Sequence, residues 1–298
     1  MRARVGTTAR DPVLIRVLRG GVPVAVLVAL VIAGPSAAAS RPVHTATASL
    51  GNWQAQLTYT LSGPSYAREV GGLQLRVTHA GRLVSKGGVP LPKDCRDYPC
   101  SRLPPDVSGF LEVSDLDLAS GPVATIWLWT GGAHCCTIVR FVTLADGRMA
   151  ERNFGNRGAV VTTLDGDRVI RSADDRFAYL FTSYAASGLP VQVWRFSGQG
   201  LVDVTRDHRA TLRGDAGGWW RAYRQQRRLR EGETRGVFAA WAADVCRLGQ
   251  RAKVEAAIDD GLARGDFSGP AASDPLGPHG AGYAKQLRQR LSAWRYCR

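Results

Sequence analysis

The chain has 298 residues, of which 45% are hydrophobic, and a formal net charge of +14 at pH 7. A chain of this length can bury one sizeable hydrophobic core or two modest ones. The positive charge predicts attraction to anionic envelope polymers, glycans or lipid headgroups. Nucleic acid is excluded as a partner, because the amino terminus predicts export from the cytoplasm.

The first 39 residues have the pattern of an export signal. They contain five arginines and one aspartate, an apolar run at residues 22–34, and small residues that end at Ala39. This order is typical of a secretory signal peptide. The apolar run of about 13 residues is shorter than the 20 or so that span a membrane. We therefore expect cleavage after Ala39, a secreted or envelope location, no retained transmembrane segment, and a mature net charge of +10.

All six cysteines follow this segment, and an even number predicts disulfide pairing in an oxidising compartment. A bond between Cys95 and Cys100 would close a short, turn-like loop and contribute about 2 kcal/mol. A bond between Cys246 and Cys297 would tie the last segment back across about 50 residues and contribute about 4 kcal/mol.

The adjacent pair, Cys135 and Cys136, leaves three alternatives open. Neighbouring Cα atoms lie about 3.8 Å apart, so a bond between the two would be strained and easily reduced. In a regular strand the two side chains would point to opposite faces, and each could pair with Cys95 or Cys100. The third alternative is metal ligation together with His134, although a zinc or copper site would need a further ligand.

Residues 43–205 have the pattern of short strands separated by turns. Apolar and polar residues alternate at residues 73–77, and β-branched or aromatic residues dominate residues 123–129 and 138–144. One unit recurs at residues 75–84, 141–150 and 194–202, each time as a strand, a glycine-bearing turn and a returning strand. This repetition predicts stacked hairpins or partial propeller-like blades, capped by another element.

Two acidic loops each follow an apolar strand. The first holds Asp115 and Asp117, and the second holds Asp165 and Asp167, with Asp174 a little downstream. Alternating carboxylates can converge on one calcium ion. Asp165, Asp167 and Asp174 are therefore weak calcium candidates, and a simple Asp-Gly turn is the alternative.

Residues 110–206 resemble exported bacterial proteins with FG-GAP or VCBS-type repeats. The resemblance is carried by Asp115-Leu116-Asp117, by Thr-Gly-Gly-Ala-His-Cys-Cys at residues 130–136, and by residues 172–179 and 193–196. It implies propeller-like blades that are stiffened by calcium and used for adhesion or ligand recognition. The chain departs from that pattern at Ala119, Thr163 and Arg168.

The glycines at residues 214–218 predict a break in the chain, and beyond it the hydrophobic period changes to that of helices. One stripe includes Val237, Phe238, Trp241, Val245 and Leu248; others are Val254, Ile258 and Leu262, and Tyr283, Leu287, Leu291 and Trp294. The predicted fold class is α+β, with a β-rich repeat domain at residues 40–213 and a small helical bundle at residues 214–298.

The sequence holds no complete catalytic motif: no Gly-x-Ser-x-Gly elbow, no His-Glu-x-x-His pair and no phosphate-binding loop of the Walker type. We expect a non-catalytic, exported recognition protein. Its alternative is a thiol–disulfide or metal-linked redox protein centred on Cys135 and Cys136.

Three further groups bear on binding. The positive charge is densest at five arginines near the start of the helical region, which form either an anion site or a solvated helix face. Aromatic residues form either a binding face or part of the sheet core. Four histidines have loop-like or exposed neighbours and are expected to be solvated. The arginines are Arg221, Arg224, Arg227, Arg228 and Arg230; the aromatics are Trp127, Trp129, Tyr184 and Trp194; the histidines are His44, His79, His208 and His279.

Overall fold

A computed structural model describes residues 42–64, 68–97, 100–102, 109–117, 121–131, 136–198, 200–229, 233–268 and 277–298. The predicted signal peptide lies outside these residues. Arg41–Arg298 forms one compact unit. Antiparallel sheets come first in this unit and helices follow, which confirms the predicted α+β class.

Sheet A is a four-stranded antiparallel meander in chain order. Apolar residues alternate with more exposed ones along β2 and β3, because only one face of the sheet is covered. The outermost strand, β4, is exposed throughout. The strands are β1 (Val43–Leu50), β2 (Trp53–Ser62), β3 (Glu69–His79) and β4 (Arg82–Gly88).

Sheet B has five strands and follows the one-turn helix α1 (Asp94–Asp97). Two strands share one edge of β7: β5 pairs with its last residues and β6 with its first. On the other edge β8 pairs with β7, and β9 pairs with β8. The strands are β5 (Ser101–Arg102), β6 (Leu111–Asp117), β7 (Gly121–Trp129), β8 (Thr137–Thr143) and β9 (Met149–Asn153).

Sheet C is again a four-stranded antiparallel meander. Two short 3-10 helices, Asp175–Phe177 and Tyr184–Ala186, lie between its second and third strands. The strands are β10 (Ala159–Leu164), β11 (Asp167–Ala173), β12 (Val191–Phe196) and β13 (Leu201–Asp203).

Apolar layers join the three sheets and the helices in sequence. One layer joins sheets A and B, a second joins sheets B and C, and a third joins sheet C to the helices. Successive side chains of a strand point to opposite faces, so on β7 Ile126 and Leu128 contribute to the first layer while Trp127 contributes to the second. Burial on both faces explains the nearly continuous apolar runs of β7 and β8.

The three recurring sequence units form hairpins, as predicted. They are the pairs β3–β4, β8–β9 and β12–β13, which are the last two strands of each sheet. The turn glycines Gly81 and Gly147 have positive φ angles of 76° and 71°, and such backbone conformations favour glycine. Each of the three sheets therefore ends in one of the predicted hairpins.

The helical region consists of α2 (Arg209–Gln226), α3 (Thr234–Arg247), α4 (Arg251–Ala263) and α5 (Gly280–Ala293). The predicted hydrophobic stripes belong to these helices, and their buried members include Phe238, Trp241, Ile258, Tyr283 and Leu287. Among the described residues, no helix is long and apolar enough to cross a membrane.

The predicted break at residues 214–218 is wrong, because these residues lie inside α2. Each glycine in a helix costs about 1 kcal/mol relative to alanine. The buried face of α2, with Leu212, Ala216 and Tyr223, offsets that cost by packing into the interior. Glycine content alone therefore misplaces the start of the helical region.

Helix α3 is the centre of the helical region, and all of its 14 residues are buried. Gly236 permits the close packing of its first turn, since a Cβ there would lie 2.4 Å from the backbone oxygen of Ala186. Near its other end, Cys246 bonds to Cys297, with the two Cα atoms 4.6 Å apart. This bond joins the central helix to the carboxyl terminus.

Candidate functional site: an arginine face on helix α2

Helix α2 is anchored to the interior through polar groups on its inner side. The carboxylate of Asp215 accepts hydrogen bonds from the indole of Trp219 at 2.8 Å and from the backbone N–H of Val191 at 3.0 Å. The bond from Val191 ties α2 to β12, and the bond from Trp219, one turn further along α2, holds the carboxylate in place. Because they fix the rotation of the helix about its axis, they also determine which side chains face outward.

A second anchor lies near the end of α2. The Tyr223 hydroxyl donates to Asp266 at 2.6 Å, and the Arg227 guanidinium donates to the same carboxylate at 3.0 Å. Burial, with the neighbouring carboxylate of Asp266, raises the pKa of Tyr223 to about 12. Tyr223 therefore stays a neutral donor at physiological pH.

The outer side of this end of the helix carries Arg221, Arg224 and Arg228, which we call the arginine face. All three are exposed and, with Gln225, line a shallow depression of about 380 Å³. None of the three forms an ion pair with any carboxylate in the described part of the chain. Arg227 instead pairs with Asp266, and Arg230 lies outside the described residues.

The spacing of the arginine face suits an extended anion. A rise of 1.5 Å per residue spreads the three positions over about 10 Å along the helix. A guanidinium group is planar and presents paired N–H donors, so it matches a carboxylate or a phosphate in a bidentate way. The face can therefore hold successive anionic groups of one polymer.

The cysteines form pairs that exclude one predicted alternative. Cys95 is bonded to Cys100, with the Cα atoms 5.0 Å apart, so neither can pair with Cys135 or Cys136. Cys136 is itself disulfide-bonded and is 7% exposed. Its backbone N–H donates to the Thr130 hydroxyl at 2.9 Å. His134 and Cys135 lie outside the described residues.

The calcium candidates each have a partner of their own. Asp165 accepts from His208 at 3.3 Å, Asp167 pairs with Arg195 at 2.9 Å, and Asp174 accepts from Arg176 and a tyrosine. Asp165 and Gly166 have φ angles of 51° and 89° and form the two-residue turn between β10 and β11. Within the described ranges, no group of three His, Cys, Asp or Glu residues is arranged to hold a metal ion.

The predicted aromatic residues lie mainly in the interior. Trp127 and Trp194 are 1% and 7% exposed and belong to the layer between sheets B and C, against which Trp129 also packs. Tyr184 is half-buried and its hydroxyl bonds to the side chain of Asn156. The three tryptophans therefore form part of the packing between sheets B and C, whereas Tyr184 lies apart from them on a short 3-10 helix.

The prediction that His208 is solvated is wrong. Its side chain is buried at the start of α2, where its Nδ1 atom lies 3.3 Å from a carboxylate oxygen of Asp165. The polar neighbours of His208 in the sequence conceal this contact, because the partner lies 43 positions away. Only the fold brings the β10–β11 turn to the first residue of the helix.

A buried carboxyl pair also escapes sequence reasoning. Asp244, in the middle of α3, is fully buried, and no N–H or O–H of the described residues donates to either of its oxygens. Burial raises the pKa of Asp244 well above its usual range, and the adjacent carboxyl of Asp215 adds to the effect. The protonated form of Asp244 is therefore favoured over its charged form in the folded chain.

A second buried carboxylate behaves in the opposite way. Asp174 is 3% exposed, and burial alone would raise its pKa. Hydrogen bonds from Arg176 and from the Tyr296 hydroxyl outweigh burial, so the pKa of Asp174 is lower than usual. This charged contact joins sheet C to the carboxyl-terminal segment.

No family model matches the chain, and no solved structure matches it. A probable thylakoid lumen protein of Synechocystis is 35% identical to it over 103 residues, which is 32% of this chain. The chain covers 30% of that protein's length. The similarity to FG-GAP or VCBS-type repeats stays a prediction from the sequence.

Proposed function

We propose that the chain is an exported, non-catalytic recognition protein that binds an anionic envelope polymer through the arginine face of α2. The observation that carries this proposal is the set of three exposed arginines, Arg221, Arg224 and Arg228, without carboxylate partners in the described structure. Like charges three and four residues apart on a helix repel each other, so this face gains when an anion binds to it.

The location proposed for this function is outside the cytoplasm. The pattern of the first 39 residues supports export, and the disulfides support an oxidising compartment. The related Synechocystis protein is named as a probable protein of the thylakoid lumen. Export would bring the arginine face into contact with anionic polymers and lipids of the envelope.

The test compares two variants with equal loss of charge. The first replaces Arg221, Arg224 and Arg228 by glutamine. The second replaces Arg68, Arg76 and Arg82, which are exposed residues of sheet A and its edge. Binding of long-chain polyphosphate and of polygalacturonate is measured at salt concentrations from about 50 to about 300 mM, which bracket physiological ionic strength.

We expect the α2 variant to bind about 100-fold more weakly, because each arginine near an anionic surface contributes about 1 kcal/mol to binding. The slope of log affinity against log salt should fall by about 2, because each contact releases a counterion. Equal losses in both variants would show that net charge, and not this face, is responsible. If the chain bound phosphatidylglycerol vesicles but neither polymer, the arginine face would be assigned to lipid headgroups, and the proposal of polymer binding would be contradicted.

The redox alternative has one supporting observation, the presence of Cys136 in a disulfide. The low exposure of Cys136 disfavours attack by a thiol, since exchange requires access to the sulfur. Counting free thiols after mild reductant tests the alternative. It requires one easily reduced pair, whereas equal resistance of all six sulfurs would contradict it.

A further inference from the structure

A groove of about 620 Å³ lies between α2 and α4, over the surface of α3. We call it the indole groove and define it by Ala216, Gly217, Trp220, Trp241, Ala256 and Ala257. Its volume falls within the range of about 300–1,000 Å³ that is typical of small-molecule sites. It lies beside the arginine face but includes none of its three residues.

Small residues on the two flanking helices leave room for the groove, and two indoles form its wall. The rings of Trp220 and Trp241 are tilted against each other with centroids 4.7 Å apart. Val245 and Leu248 add aliphatic surface from α3 and its end. Hydrocarbon and aromatic side chains therefore form one part of the groove, while the polar side chains of Arg213, Gln250, Lys253 and Asp260 line the rest.

One polar atom in this wall lacks a partner. Trp241 is only 3% exposed, and its indole N–H donates to no acceptor in the described part of the chain. Buried indole N–H groups usually have an acceptor. The indole of Trp241 departs from this rule at the wall of the groove.

The mouth of the groove is positively charged. Arg213 and Lys253 are exposed lining residues, one on each flanking helix, and neither forms an ion pair within the described residues. The one acidic lining residue, Asp260, pairs with Arg264 at 3.3 Å. The rim therefore attracts an anionic group at the end of an apolar ligand.

We propose that the indole groove binds a single-chain anionic amphiphile, such as a fatty acid, as a free monomer. The hydrocarbon chain lies between α2 and α4 against Trp220 and Trp241, and the carboxylate lies at Arg213 and Lys253. An oligosaccharide fits less well, because the alanine, valine and leucine side chains of the lining offer sugar hydroxyls no hydrogen bonds, and the acidic lining residue Asp260 is paired with Arg264. This proposal does not depend on polymer binding by the arginine face.

The test is a calorimetric titration of the full chain with decanoate, laurate and myristate below their micelle-forming concentrations. Affinity should rise about fourfold for each added methylene until the groove is filled. Decanol and dodecanol serve as uncharged probes. This series uses the unaltered protein, so its result does not depend on how any variant folds.

Variants locate the site. Ala256→Phe should fill the groove and weaken laurate binding at least tenfold, whereas Ala263→Phe, an exposed position of α4 outside the groove, should leave it unchanged. Replacing Arg213 and Lys253 by glutamine should weaken laurate about tenfold and dodecanol very little. The glutamine variant of the arginine face should bind laurate normally.

Three results would overturn the proposal. These are an affinity that does not change with chain length, laurate binding by Ala256→Phe that equals that of Ala263→Phe, and displacement of laurate by a neutral oligosaccharide. The last result would assign the groove to a glycan. An intact thermal transition of each variant confirms that the chain is folded.

Discussion

In sheet A buried side chains alternate with more exposed ones, and in sheet B strands β7 and β8 are buried on both faces. The one charged residue buried within a described strand is Arg140. Helix α3, by contrast, is buried around its whole circumference and carries Arg235, Asp244 and Arg247 into the interior. The two regions therefore rely on different interactions. Apolar layers hold the sheets, whereas the helical region also depends on titratable groups and on a long-range disulfide.

The largest effects test whether the two regions unfold together. Phe141 is fully buried between sheets B and C, and Phe238 is fully buried among Tyr223, Trp241 and Phe267. Replacing either phenylalanine by alanine should cost about 3–5 kcal/mol of unfolding free energy.

Urea unfolding followed by circular dichroism checks this prediction. Because Arg41–Arg298 is one compact unit, we expect one transition, shifted in both variants. If Phe238→Ala produced a second, earlier transition and Phe141→Ala did not, the helical region would be a separate folding unit.

The disulfides sharpen the same comparison. Replacing Cys246 and Cys297 by alanine should cost about 4 kcal/mol, because their bond closes a loop of 51 residues. Replacing Cys95 and Cys100 should cost only about 2 kcal/mol, because that bond closes a loop of 5. Thermal unfolding of the two oxidised double variants measures the difference. An equal loss of stability in the two variants would contradict the explanation that each disulfide stabilises by limiting the entropy of the unfolded chain.

The contact between Tyr296 and Asp174 should show in the acid range. Tyr296→Phe removes a hydrogen bond to a buried carboxylate and should cost about 1.5–3 kcal/mol at pH 7. The pKa of Asp174 is lowered in the folded chain, so its contribution is present above the unfolded pKa of about 3.9 and is lost as pH falls.

The difference in unfolding free energy between Tyr296→Phe and the unaltered chain should therefore become smaller below about pH 4. Urea titrations at pH 3 to 7 measure it. A difference that stays constant across this range would mean that the lost interaction is packing and not the hydrogen bond to the charged carboxylate.

Asp244 should have the opposite dependence on pH. Its raised pKa means that the folded chain keeps a proton that the unfolded chain releases above about pH 4. Stability should therefore fall as pH rises, by up to about 1.4 kcal/mol per pH unit until Asp244 ionises in the folded state.

Asp244→Asn has no such proton, and its amide can donate to Asp215, so this part of the pH dependence should disappear. Asp207→Asn, at an exposed position, is the matched control, and its stability should still fall as pH rises. Stability measured at pH 4 to 8 compares the two variants. The same slope in both would contradict a raised pKa of Asp244 in the folded chain.

Much of the sheet region could be predicted from local pattern. The hairpin turns at Gly81 and Gly147 and the two-residue turn at Asp165 and Gly166 depend on a few adjacent residues. Alternation along β3 showed which residues face the interior. These features are local because a strand's side-chain period and a turn's φ angles are set by neighbouring residues.

The helical region was predicted less completely. The stripes of α3 and α5 indicated their buried sides, but the glycines at residues 214–218 suggested a break where α2 continues. The arginine cluster was visible in the sequence. The sequence did not show that Arg227 pairs with Asp266, or that Arg221, Arg224 and Arg228 form no ion pair with a described carboxylate.

The sequence by itself determined the order of strands and helices and the basic charge, since periodicity and composition are properties of the chain alone. Only the tertiary structure decided that His208 meets Asp165, that Asp244 meets Asp215, and that two indoles wall a groove between α2 and α4. The physical reason is that burial and electrostatic interactions depend on residues brought together from distant positions, and no local pattern records those distances.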